Sequence, residues 1–306
     1  MTDLPITAAS ATTLAGAARA RVALLFGGSG QIGERLLQGL LAAGWQVHAF
    51  SRTPQAPRDG LHWHLGELSQ LQAPPVQAEA IFSCGPLDAF ADWYRRTPLH
   101  ARRVVAFGST SLEVKRDSLD AAERDVARRL REAEAALFAT AAERGAAATV
   151  LRPTLVYGAG RDRTLSAIAT LAQRSGWFVL PHSARGLRQP VHVHDLADAA
   201  LAVMAHPATH GRSYALGGGE VLSYREMVRR VLAALQPPAR LLLLPHAVFA
   251  LALRIAHAGG RLRGMNRAAL QRMGEDLVFD LAPAQRDFGY APRAFVLDAA
   301  MLGVER

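Results

Sequence analysis

Seven residues, Gly27-Gly28-Ser29-Gly30-Gln31-Ile32-Gly33, constrain this chain more than any other stretch. They follow Val22–Phe26, a continuous apolar run of the kind that forms a buried parallel strand. After them Ile32, Leu36, Leu37, Leu40 and Leu41 recur at helical spacing, and Gly44 ends the pattern. Trp45–Phe50 then reads as a second strand, so residues 22–50 make one strand-turn-helix-strand unit of about 30 residues. Gly27, Gly30 and Gly33 satisfy a GxxGxxG spacing, and Gly28, Gly30 and Gly33 also satisfy GxGxxG. Glycine is needed where a chain turns sharply out of a strand, lets a pyrophosphate approach its backbone, and packs a helix close to the sheet. The helix N-terminus adds unbonded N–H groups and a partial positive charge. Gly27, Gly28, Ser29, Gly30, Gln31, Ile32 and Gly33 are therefore expected to cradle a dinucleotide.

The second strand ends Phe50-Ser51-Arg52 rather than in an acidic residue. A carboxylate there accepts from the adenosine ribose of NAD; an arginine cannot accept, but pairs with a 2′-phosphate, and Ser51 is able to donate to it. This favours NADP(H), with NAD(H) left open. The same rhythm continues. Ala78–Ser83 and Arg103–Phe107 are strand candidates, Asp120–Arg144 a long helix and Ala148–Leu151 a further strand. Such alternation predicts an α/β fold, a Rossmann doubly wound parallel sheet. After Pro153 it loosens. Thr164–Gln173 reads as helix, Pro190–Val193 as extended chain, Asp195–Ala205 as helix and Ser213–Leu216 as a last strand. From Gly217 the chain is helix-rich, over Tyr224–Leu235, Ala247–His257 and Arg267–Met273. The expected division is a flexible tail (1–20), a Rossmann domain (21–216, with 156–187 partly contributing to the substrate lobe) and a smaller, helix-rich C-terminal substrate lobe (217–306).

Composition narrows the partners. The 306 residues carry a formal charge of +9, and Lys115 is the one lysine among 35 basic residues. That balance favours anionic small-molecule ligands. The arginines are scattered, with no basic stripe interleaved with aromatics and no zinc-finger spacing, so nucleic acid is not expected. The single cysteine, Cys84, rules out an intrachain disulfide framework and fits a reducing cytoplasm. Residues 1–20 lack the pattern of a secretory signal. The most apolar stretch, Leu241–Ile255, contains Pro245, His246 and Arg254. It falls short of the ~20 residues a span requires. It reads as a buried amphipathic helix, and stable membrane insertion is not expected. His62-x-His64 and His192-x-His194 each place two imidazoles on one face of a strand. Ordinary half-buried histidines are the expectation, with no metal. A homodimer is compatible with all of this.

Five segments, in order, resemble the extended or atypical branch of the short-chain dehydrogenase/reductase superfamily, the NAD-dependent epimerase/dehydratase group, over roughly residues 21–220. They are the glycine turn, Gly66-Glu67-Leu68, Phe107-Gly108-Ser109-Thr110-Ser111, the segment from Leu151-Arg152-Pro153 through Tyr157-Gly158-Ala159-Gly160, and Gln189 to Ala197. The last of these, with Leu216 to Glu226, is similar to relatives of the nucleotide-binding accessory subunit of respiratory complex I. The resemblance implies that Glu67 and Leu68 lie near the adenine, that Gly85 lies near where the cofactor passes, that Pro153 belongs to the segment beside the nicotinamide, and that Thr110 positions a substrate carbonyl. It also implies a Tyr-x-x-x-Lys pair on the long helix, which this chain lacks. Ala127 would replace the tyrosine and Arg131 the lysine, and an arginine titrates too high to shuttle a proton. Thr110 and Arg131 are thus the catalytic candidates, with His194 or Tyr157 as substitute acids and Arg161 and Arg188 as anion binders. Cys84 reads as a packing residue. Asp276–Asp280 and Phe288–Arg293 resemble the C-terminal ends of extended members. Two functions stay open: an oxidoreductase or epimerase-like enzyme on a nucleotide-linked sugar or other polar carbonyl compound, and a non-catalytic NADP(H)-holding sensor or assembly protein.

Overall fold

A strand apolar on both faces must be covered on both, and Val22–Phe26 (β1) lies inside a sheet with Ala23, Leu24 and Leu25 wholly buried. The computed structural model describes residues 21–72, 76–162, 164–245, 247–251, 253 and 267–304. The expected N-terminal tail lies outside the described residues. Beside β1 run β2 (Gln46–Ser51), β3 (Leu61–Leu65), β4 (Ala80–Ser83), β5 (Arg103–Phe107), β6 (Ala147–Pro153) and β11 (Arg212–Leu216). All pair in parallel, in the order β11-β6-β5-β4-β1-β2-β3. Phe26 stands level with Phe50 on one side and Ser83 on the other. The strand order reverses between β1 and β4, so a crevice opens beyond their C-terminal ends.

Helices cover both faces. On one, α1 (Gln31–Ala42) buries Leu36, Leu37 and Leu40 and packs on α6 (Val193–Ala205). On the other, α2 (Leu87–Arg96) packs on α4 (Ala121–Glu143). Asp120 caps α4 by accepting from the Ala122 N–H at 2.9 Å. Under α2, Phe26 and Phe50 stack at 4.4 Å and Trp93 closes on Phe26 at the same distance.

A third core belongs to the lobe. It gathers Leu165, Phe178, Leu180, Met227, Val231 and Phe295 from α5 (Leu165–Ser175), β8 (Trp177–Pro181), α7 (Tyr224–Ala233) and the chain end. Here one expectation is corrected. Leu241–Leu244 is not the start of a helix but most of β13 (Arg240–Leu244), paired in parallel with β8. A four-leucine run carries no period that separates strand from helix, and Pro245 cannot donate to a continuing ladder. Residues 247–251 and 253 are helical; the rest of that candidate helix lies outside the described residues. Near its end the chain returns to the sheet. Ala284, Phe288 and Tyr290 pack in the core under α1 and α6, with Phe288 edge-on to Tyr214 of β11 at 5.2 Å.

Short pairings bring the remaining segments over the sheet edge: β7 (Val156–Tyr157) beside β10 (Val191–His192), and β9 (Leu187–Arg188) against β12 (Leu222–Ser223). Among the described residues no helix is long and apolar enough to cross a membrane.

Candidate functional site

The glycine turn is built by steric necessity. Gly27 has φ +73°, and a Cβ there would lie 2.9 Å from the Cys84 carbonyl carbon. A Cβ on Gly33 would lie 2.0 Å from the Gly27 carbonyl oxygen, so the first turn of α1 fits against the loop only without a side chain. The Gly30 N–H donates to Gly27 C=O at 2.9 Å, and the first helical bond runs from Glu34 N–H to Gly30 C=O. No side chain caps this end of α1. The N–H groups of Gln31, Ile32 and Gly33 are therefore offered outward. The Gln31 Oε1 is buried with no partner. A cradle that closes on glycine alone, an uncapped helix end and an orphaned acceptor fit the phosphates and polar edge of a dinucleotide. Arg161 reaches over the turn, its Nη1 donating to the Ser29 carbonyl at 3.1 Å.

The strand ends line up on this edge. Gly66 N–H donates to Ser51 C=O at 3.0 Å, which sets Glu67 and Leu68 beside Ser51 and Arg52. Arg52 is exposed, with no hydrogen bond or ion pair among the described residues. Ser51 behaves otherwise than expected. Its hydroxyl donates to Thr53 C=O at 2.7 Å and accepts from the Thr53 N–H, a local turn that occupies its proton. Gly85 follows β4 next to Gly27, and Pro153 ends β6. Cys84 packs half-buried beneath the turn, and burial pushes its thiol well up, out of the nucleophilic range.

Beyond β5 and β6 lies a cavity of about 220 Å³. Ser109, Thr110, Ser111 and Lys115 line it from the β5 side, Thr154 from β6, Gln189, Arg188 and Arg272 from the lobe. Lys115, Arg188 and Arg272 are its only charged lining side chains among the described residues, and all three are cations. Arg188 is 5 % exposed and has no carboxylate partner. Its guanidinium donates to the carbonyls of Leu187, Glu275 and Arg272 and lies 5.0 Å over the Tyr224 ring. Burial pulls its pKa below the ordinary arginine value. Thr110 does not offer its proton to the cavity, because Oγ1 donates to Pro153 C=O at 3.1 Å.

The other catalytic candidates are displaced from this cavity. Ala127 is wholly buried, and Arg131 is exposed with no bonded partner among the described residues; neither lines the cavity. Ala127 is on the buried side of α4 with Ala133, Glu134, Leu137 and Ala141, and offers no group able to exchange a proton. Tyr157 is buried between Phe295 and His192, its hydroxyl toward Ala294 C=O, and burial raises its pKa. His192 and His194 do not share a strand face. His192 ends β10 and caps α6, its Nδ1 accepting from the His194 N–H at 3.2 Å, while His194 sits in the first helical turn. His62 and His64 do share a face, with His48 of β2, and His48 Nδ1 lies 2.9 Å from His64 Nε2. Among the described residues no three His, Cys, Asp or Glu side chains are placed to hold a metal ion.

A seven-stranded parallel sheet with its switch point at a glycine turn, flanked by helices on both faces, defines a Rossmann-like α/β fold. Comparison with known proteins is consistent with this. Residues 126–217 match the model of the NAD dependent epimerase/dehydratase family. The chain is 26% identical to the 2-alkyl-3-oxoalkanoate reductase of Stenotrophomonas maltophilia (strain K279a), over 89% of this chain and 95% of that protein. It is 28% identical to mitochondrial NADH dehydrogenase [ubiquinone] 1 alpha subcomplex subunit 9 of Dictyostelium discoideum, over 28% of this chain and 23% of that one. The solved structure of UDP-glucuronic acid 4-epimerase from Bacillus cereus in complex with NAD superposes with a TM-score of 0.68 at 11% identity, covering 93% of this chain and 97% of that one.

Proposed function

We propose that this protein binds NADP(H) along the edge from Arg52 to Pro153 and acts as an oxidoreductase on an anionic carbonyl compound. The observation that carries this reading is the cavity beyond β5 and β6, whose charged lining among the described residues is wholly cationic and which opens at the same end of the sheet as the glycine cradle. Arg188 is buried without a direct ion pair, the carboxylates of Asp276 and Glu275 acting on it only through space, so a ligand anion in the cavity would add to its stabilisation. A carboxylate or a phosphate supplies such an anion, so a 3-oxo acid and a nucleotide-linked sugar are both in the substrate class. The 2-alkyl-3-oxoalkanoate reductase matched along nearly its whole length supports the first. Exposed, unpaired Arg52 at the end of β2 supports the 2′-phosphate. Arg161, lying over the glycine turn, is in place to close on the pyrophosphate. When bound, the reduced dinucleotide supplies the hydride.

The test is a fluorescence titration of purified protein with NADPH and NADH, followed by NADPH consumption with 3-oxooctanoate and with UDP-glucose. NADPH is expected to bind more tightly, and Arg52→Asp to cost it about tenfold or more, as loss of charge-assisted hydrogen bonds worth ~1.5–3 kcal/mol predicts, with little change for NADH. Unchanged selectivity in Arg52→Asp removes the NADP assignment; no binding of either dinucleotide removes the whole reading.

A second reading, a holder of NADP(H) without turnover, is favoured by one observation: none of Val126, Ala127, Leu130 or Arg131 of α4 is able to exchange a proton near neutral pH.

A further inference from the structure

Lys115 is the one lysine in 306 residues, and it stands in the wall of the cavity. It closes the short helix α3 (Ser111–Val114), its N–H donating to Ser111 C=O at 3.0 Å. Its side chain keeps 28% of its exposure. The carboxylate it pairs with is Glu123, with Oε1 3.8 Å from Nζ, an ion-pair distance too long for a hydrogen bond. Glu123 is otherwise occupied. It accepts from Ser118 Oγ at 2.7 Å and pairs closely with Arg272. Burial alone raises the Glu123 pKa, but these hydrogen bonds and the charges of Arg272 and Lys115 outweigh it, so the group stays ionised. The Lys115 ammonium is thus held loosely by a carboxylate that leaves its N–H donors unengaged.

The neighbouring groups cannot do the same work. Thr110 gives its hydroxyl proton to Pro153 C=O. The Arg188 donors are turned to three backbone carbonyls, and Arg272 is clasped by Glu123. Guanidinium groups also hold their protons too firmly to transfer one.

We propose that Lys115 is the catalytic acid of this cavity, donating a proton from Nζ to the carbonyl oxygen of a bound anionic substrate in place of the tyrosine that α4 lacks. The inference rests on the oxidoreductase reading above. As the carbonyl carbon receives a hydride from the reduced dinucleotide, the C=O π pair moves onto oxygen. Lys115 first hydrogen-bonds that developing negative charge, where a preorganised cation is most effective, and then protonates it. The products are an alcohol, oxidised dinucleotide and a neutral amine, which regains its proton from water. Ser109 and Ser111 remain on the same wall to orient the substrate.

A single lysine makes the test direct. Reductive methylation with ¹³C-formaldehyde labels Lys115 and the N-terminal amine alone, and Lys115→Met identifies which resonance belongs to which. The Lys115 signal is expected to move on adding NADP⁺ and again on adding 3-oxooctanoate. Lys115→Arg is expected to keep the NADPH affinity within about twofold while kcat with 3-oxooctanoate falls about a hundredfold, with a much smaller change in KM. If dinucleotide binds by fluorescence while the Lys115 resonance ignores both ligands, Lys115 is not the acid; full kcat in Lys115→Arg overturns it equally. If the acid is not turned over even by the wild type, the resonance decides. Failure of any dinucleotide to bind is a different result, which removes the oxidoreductase reading and this inference with it.

Discussion

At the scale of single residues, His192 shows how a family-like segment can be locked by sterics rather than chemistry. Its ring is 3% exposed, and its Nε2 is buried without a partner. A Cβ on Gly158 would lie 2.3 Å from that nitrogen, and Gly158 has φ +106°, so glycine is required there twice over. Burial, with the nearby positive charge of Arg293, lowers the His192 pKa to about 4. The unfolded chain takes up this proton near pH 6.5, the folded chain only near 4, so stability conferred by the neutral ring is present above 6.5 and lost on descending through 4. The loss amounts to about 3 kcal/mol by pH 4. His48, His64, His194 and His210 are lowered in the same direction, so the whole protein softens in acid by more than this one group accounts for. His192→Gln isolates the contribution. In urea titrations the stability advantage of wild type over His192→Gln should shrink by roughly 3 kcal/mol between pH 7 and 4. A difference independent of pH would show that His192 does not titrate in this way.

At the scale of elements, α4 is tied to the sheet by a polar cluster rather than by apolar contact alone. Glu134, 6% exposed, accepts from Arg152 of β6 and from Ser213 of β11, and Arg152 also donates to Glu113 at 2.9 Å. Removing one member strands a partly buried charge. Glu134→Gln is expected to cost about 3 kcal/mol, seen as a lower urea midpoint with unchanged slope, and Arg152→Met in the same chain should restore part of it. If the double variant is as weak as the sum of the two singles, the pair is not coupled. This cluster also shows why sequence reading stopped where it did. The glycine turn, β1, α1 and the parallel alternation were legible, because local spacing and steric need coincide in them. The apolar side of α4, with Ala127, Ala133, Leu137 and Ala141 buried, was legible as well; its buried polar member, Glu134, was not, since its partners lie 18 and 79 residues away. The four leucines of Leu241–Leu244 show no period at all, which is why β13 was misread as helix. Lys115 was visible as a letter, but only the fold brings it to Arg188 and Arg272.

At the scale of the whole molecule, the lobe and the Rossmann sheet are cross-braced from several directions. Asp195, 7% exposed at the start of α6, accepts from the backbone N–H and the guanidinium of Arg293. Tyr290 donates to Gly217 C=O at 2.9 Å, Arg161 returns to the glycine turn, and Phe288 packs on Tyr214. The chain thus leaves the sheet after β11, builds the lobe, and comes back to the sheet before ending in the lobe core at Phe295 and Leu302. Two bodies joined in this way should unfold together, although sequence alone suggests a simple boundary at residue 216. The tryptophans allow a direct measurement. Trp45, Trp63 and Trp93 lie in the Rossmann half, and Trp177 opens β8 in the lobe. A variant with phenylalanine at 45, 63 and 93 reports the lobe, and Trp177→Phe reports the sheet. Both should give one coincident urea transition, each measured against its own ligand-free curve. NADPH at a hundredfold excess over its Kd should stabilise both by the same amount, about 2.7 kcal/mol, because a ligand bound to one half of a cooperative unit stabilises the other. Two separated transitions, with NADPH moving only the one seen by Trp45, Trp63 and Trp93, would mean that the bracing through Asp195 and Tyr290 is too weak to couple cofactor binding to the walls of the substrate cavity.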